Sequence, residues 1–358
     1  MRISSLILIA ALRNLSAQPH LQAVANPIRL STLPHHVYKE SNDQEGSLAA
    51  EKWTVYVLVN DAQGRALTPM SATIELFSGN RRVETVRLGA AALAAMRNIS
   101  FKQTDPAQGV SARGAAAQEE LFDLRHAFAQ PPALRIDRMR YHLELKDANG
   151  KIISAELEIP LTVYIPKTKL RFPLLGDFVV VVGHLNDDGH NEWSQSYADD
   201  ILATGPHAEL LVKGDGSANE DYYGWGREVL APAAGTVVRA RNDVPNQPHP
   251  GTIDRSTFIN LPEPTWAAVG NGVVIDHGNG EFSLLAHMQP GSVTVKAGDK
   301  VTAGQVIGKL GNSGNATGPH LHYHLMACAE LFRCDGLPTR FENTDPPSPR
   351  RGKYASAK

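Results

Sequence analysis

Along residues 156–165 of this chain, ELEIPLTVYI, apolar side chains fall on alternate positions: Leu157, Ile159, Leu161, Val163 and Ile165. A period of two is that of an extended strand with one face buried, and a helix cannot gather those positions on one side. The same period returns in GPHLHYHLM at 318–326, where His320, His322 and His324 alternate with Leu321, Tyr323 and Leu325. Short runs rich in β-branched residues, closed by Gly and Asn turns, recur from Trp53 onward, as in WTVYVLVNDAQGR, YHLELKDANGKII, APAAGTVVRARND and GNGVVIDHGNG. We therefore expect an all-β protein, and 358 residues suit two domains.

The division follows composition. The start, MRISSLILIAALRNLSAQPHLQAVANP, has an apolar run from Ile3 to Leu12 followed by small residues, the outline of a secretory signal peptide over residues 1–25. Residues 26–50 are polar and read as a leader or linker. Residues 51–166 read as a β-sandwich of immunoglobulin type, in which GAAALAAM and AAQEELFDLRHAF are interruptions that could form short helices. PKTKLRFP, at 166–173, reads as a linker, residues 174–342 as a second β-rich domain, and the Pro-rich, basic end at 343–358 as a disordered tail. Beyond the start no stretch reaches ~20 apolar residues, so no membrane span is expected in the mature chain. A formal net charge of −2 gives no general attraction to nucleic acid. The two cysteines, Cys328 and Cys334, read as a loop-closing disulfide if the chain is exported, or as extra zinc ligands lacking the partner cysteines of a structural site.

Chemistry concentrates in the second half. In a strand, His320, His322 and His324 leave one face together, and histidine is the commonest metal-binding side chain; the ordinary alternative is a solvated sheet face. His287 closes the apolar run FSLLAHM, and GHLNDDGHNEWSQSYADDI adds His184, His190, Asp199 and Asp200. Taken singly, a strand-end histidine and a solvated acid pair need no ligand. Residues 51–166 gather no comparable set.

Together, QSYADDI, LAPAAGTVV, GNGVVIDHGNG, the long block LLAHMQPGSVTVKAGDKVTAGQVIGKLGNSGNATGPHLHYHL and the trailing GLPTRF resemble the lysostaphin-type, or LytM-like, zinc metallopeptidases, over about residues 177–341. The resemblance implies a zinc ion held by His190, Asp200 and His322, with His287 and His320 as the catalytic pair beside the reacting water and the developing oxyanion. It gives His324 no role. The chain departs from the commoner family pattern, in which the first His precedes the Asp by four positions, so His184 stands as a rival to His190 and Asp199 as a rival to Asp200. The implied activity is that of a secreted or periplasmic zinc endopeptidase cutting bacterial cell-wall (peptidoglycan) peptides. The sequence points to no particular activator protein. A silent binding or regulatory module of the same fold is the second reading. A biotinyl-type carrier barrel, suggested by VKAGDKV alone, leaves the histidines unexplained.

Overall fold

A computed structural model describes residues 27–41, 49–98, 120–185, 190, 193–206, 210–345, 347, 352 and 354–358. The signal-like start at 1–25 lies outside the described residues. What is described is β-sheet with two short α-helices, Ala90–Met96 and Pro264–Ala268, and four short 3-10 turns.

The N-terminal module holds two five-stranded sheets. One contains Ile28–Leu33, Glu51–Asp61 and Glu120–Gln130; the other contains Leu67–Ser78, Arg81–Gly89, Arg138–Asp147 and Ile152–Thr162. Alternate residues of both, among them Val55, Val57, Val59, Ile74, Leu76, Tyr141 and Leu143, bury into one shared core capped by Leu93. The alternation read along 156–165 holds through Ile159 and Leu161, which are buried. It ends with the strand at Thr162, and Val163 and Ile165 are left 62% and 79% exposed.

Four boundaries differ from expectation. The supposed leader supplies the strand Ile28–Leu33, paired antiparallel with Glu51–Asp61, because Ile28, Leu30 and Leu33 are buried there. AAQEELFDLRHAF lies largely in the strand Glu120–Gln130: helix-forming Ala, Glu and Leu are overridden by the long pairing with Glu51–Asp61. The supposed linker drives Leu170 and Phe172 into the second core, so its end is anchored. The end of the chain, expected to lack structure, forms the strand Tyr354–Ala357 on the edge of the second domain's sheet, with Ala355 and Ala357 buried.

In the second domain a nine-stranded sheet carries the site. Its middle runs, in order, through Gly235–Arg241, Asn271–Asp276, Phe282–Met288, Leu321–Met326, Asp199–Ala203 and Gly176–Val182. One face packs on a core that includes Leu321, Tyr323, Leu325, Leu285 and Ile201. Period two then sends His320, His322 and His324 to the opposite face. Cys328 and Cys334 are disulfide-bonded just beyond that strand.

Candidate metal centre

The site begins with one cross-strand pair. Asp200 lies directly opposite His322 in the antiparallel pairing of Asp199–Ala203 with Leu321–Met326, so both side chains leave the same face. The His322 Nδ1 is 3.0 Å from the Asp200 Oδ1, and the His190 Nε2 reaches the same oxygen at 3.2 Å. Among the described residues, His190, Asp200 and His322 form the group whose ligating atoms all lie within 4.8 Å of one another. Two imidazole nitrogens and a carboxylate oxygen, converging with Asp200 still 18% exposed, suit a divalent ion that keeps one coordination position open.

Two more histidines border this cluster. The His320 Nε2 stands 3.4 Å from the Asp200 Oδ1, and the rings of His287 and His320 are 4.7 Å apart. Each is steered by a backbone carbonyl: His320 Nδ1 bonds to Gly318 O and His287 Nδ1 to Ser313 O, both at 2.8 Å. With Nδ1 occupied as donor, Nε2 is the remaining nitrogen of each ring. His190 is oriented in the same way, its Nδ1 3.2 Å from Ala198 O.

His287 reaches this face through a bulge. Asn271 pairs with Met288 and Val273 with Leu285, so Gly272 alone opposes both Ala286 and His287. The extra residue adopts φ 63° at His287, a left-handed conformation uncommon outside glycine. Leu285 and Met288 therefore point into the core, while the His287 ring lies 5.9 Å from that of His322 on the other side. Only glycine fits at 272, since a Cβ there would come within 2.4 Å of the Leu285 carbonyl oxygen.

The electrostatics follow from burial and crowding. Burial opposes the charge on Asp200, yet the imidazoles of His320 and His190 outweigh it and hold the carboxyl well below the usual carboxylate range. Burial pushes His287 well below its ordinary value, with His320 and His322 adding to the effect, and also lowers His322. For His320 burial is outweighed by Asp200, which raises it.

The rival residues are placed elsewhere. Asp199 sits one position before Asp200, so it faces the other side of the sheet, opposite Tyr323. The buried His184 lies there too, its Nε2 3.5 Å from Asp199 Oδ2 and its Nδ1 2.8 Å from Glu40 Oε2. Burial works against the charged form of His184, but Glu40 and Asp199 prevail and raise its pKa to about 9. His324 stands apart from the three-residue group; its Nε2 bonds Ser194 O at 2.8 Å and ties down the turn after His190. The carbonyl partners Ser313, Gly318, Ala198 and Ser194 had no sequence signal, because any residue supplies a carbonyl. Glu40 falls within residues 26–50, which by composition read as a leader or linker.

One β-sheet face thus gathers two imidazoles and a carboxylate beside two further imidazoles, a donor set that could hold a divalent ion. The sequence model of Peptidase family M23 matches residues 222–333, and the chain carries an M23 domain there. That match contains His287, His320 and His322 and leaves His190 and Asp200 outside it. The peptidoglycan DD-endopeptidase ShyA of Vibrio cholerae is 51% identical over 57 residues, covering 16% of this chain and 13% of that protein. ShyC of the same organism, also a peptidoglycan DD-endopeptidase, is 35% identical over 101 residues, 28% of this chain and 19% of that protein. The chain thus matches less than a fifth of the length of either relative. Among solved structures, a zinc-containing peptidase from Vibrio cholerae aligns with 84% of this chain and 86% of that one, at 14% identity and a TM-score of 0.26.

Proposed function

We propose that the protein is an exported zinc metalloendopeptidase that hydrolyses peptide bonds in the stem peptides or crosslinks of peptidoglycan. The observation that carries this reading is the convergence of His190, Asp200 and His322 with His287 and His320 alongside. The first three would hold the ion. Zinc would polarise the scissile carbonyl and make water acidic enough to attack near neutral pH. His287 and His320, each held by a carbonyl at Nδ1, present Nε2 to the reacting groups. They divide two tasks: taking the water proton for delivery to the leaving amine, and donating a hydrogen bond to the tetrahedral oxyanion.

Export accords with the signal-like start and with the Cys328–Cys334 disulfide, a bond that persists in oxidising compartments. Among the described residues no helix is long and apolar enough to cross a membrane. We read the two N-terminal sheets as an immunoglobulin-type accessory domain.

The test is release of new amines from purified peptidoglycan by the zinc-loaded chain. The wild type should release them, and His320→Ala should be slower by about 10²–10⁴-fold while binding zinc as before. A folded, zinc-loaded wild type that releases nothing from several wall types would turn the reading to the binding module.

A further inference from the structure

The segment that supplies His190 and Asp200 lies outside the family match, and its two candidate ligands are ten residues apart, so what holds it in shape needs its own account. Among its described residues the segment is tied internally by Leu185 N to Ser196 O at 2.6 Å, by the bonds of Ser196 to Trp193 O and of Ala198 N to Gln195 O in its short turn, and by His190 to Ala198 O. Much of the rest of its support comes from the N-terminal module. Trp193 packs into a buried cluster with Leu33, Tyr56 and Leu58. The buried Tyr197 hydroxyl donates to Tyr38 O at 2.6 Å. Glu40 accepts from His184 Nδ1 at 2.8 Å, and the far side of that ring reaches Asp199 and the Thr339 hydroxyl. Glu40, His184 and Asp199 thus form a buried chain running from the N-terminal module to the residue next to Asp200.

We propose that the N-terminal module is part of the framework of the metal centre, with Glu40 a positioning residue that acts through His184 and Asp199 on the segment presenting His190 and Asp200. The inference rests on the reading of His190, Asp200 and His322 as metal ligands. It assigns the module a constructive role toward the site, since removing it takes the Leu33, Tyr56 and Leu58 cluster from Trp193, the Tyr38 carbonyl from Tyr197 and Glu40 from His184. Among the described contacts Glu40 meets His184 rather than His190, Asp200 or His322, so its effect is on where those three stand.

The experiment measures zinc affinity of the full chain by competition with a chromophoric chelator, with thermal melting recorded alongside. Glu40→Ala should weaken zinc binding by about 10-fold or more, the lower end of what partners that orient ligands contribute. Glu40→Gln, whose amide oxygen still accepts from His184, should bind close to the wild-type value. Arg82→Ala, which breaks the Arg82–Glu75 pair on the outer hairpin of the module, should leave zinc affinity unchanged. Should Glu40→Ala not fold, Glu40→Asp replaces it, with the same direction expected. Wild-type affinity in the Ala variant, an equal loss in Arg82→Ala, or no recovery with Gln would overturn the inference while leaving the metal reading in place. A wild-type chain that takes up no zinc would overturn both.

Discussion

At His287 the placement of a proposed catalytic group depends on the residue across from it. The ring reaches the face that carries His322 because Gly272 lets two residues of the neighbouring strand oppose one, and because His287 accepts φ 63°. Gly272→Ala would push a Cβ into the Leu285 carbonyl, so we expect a loss of about 1–3 kcal/mol in urea denaturation together with slower peptidoglycan hydrolysis. An unchanged midpoint and unchanged rate would show that the bulge is not needed. The sequence displays GNG but not the bulge, which exists only once two strands are paired. His320 and His322, by contrast, were legible, since alternation alone puts them on one face. Asp199 and Asp200 could have been told apart the same way: in DDILA, Asp199 shares its face with the buried Ile201, which leaves Asp200 for the other.

Among elements, the strands with a strong local pattern were legible and those made by pairing were not. Leu321–Met326 and Ile152–Thr162 carry their period in their own residues, and Phe282–Met288 shows as an apolar run. Glu120–Gln130 does not, and it becomes a strand because a long ladder to Glu51–Asp61 rewards every residue it fixes. Ile28–Leu33 and Tyr354–Ala357 are short and flanked by polar residues, so their sheet partners, far off in sequence, decide their conformation. The same holds for Leu170 and Phe172, whose burial depends on a core built from distant strands. The nine-stranded sheet then places Asp200 and His322 without adjustment, because adjacent strands in register bring opposite residues together.

Over the whole molecule, the two domains are joined by polar clasps as well as by the Trp193 cluster. Glu281 accepts from Tyr164 and from the backbone of Lys167 and Thr168 where the chain crosses between them. On the other side, Asp335 receives the backbone N–H groups and ring Nδ1 atoms of both His35 and His36. Bonding to Asp335 raises both imidazoles above their ordinary 6.5, and although burial opposes the Asp335 charge, these two partners hold it well below the carboxylate range. The histidine contribution is therefore complete below 6.5 and fades as pH rises through the raised values, while that of Asp335 is complete above about pH 4 and fades below it. We expect the melting temperature of the wild type to fall more between about pH 6 and 8.5 than that of Asp335→Asn, and equal falls would show that the clasp does not titrate. Everything proposed for the site requires that His190, Asp200 and His322 hold one ion. The most direct measurement is metal content by elemental analysis of the purified chain after zinc is supplied, beside His190→Ala and His322→Ala. We expect about one zinc per wild-type chain and close to none in either folded variant. A folded wild type without metal, or variants that keep it, would contradict that expectation.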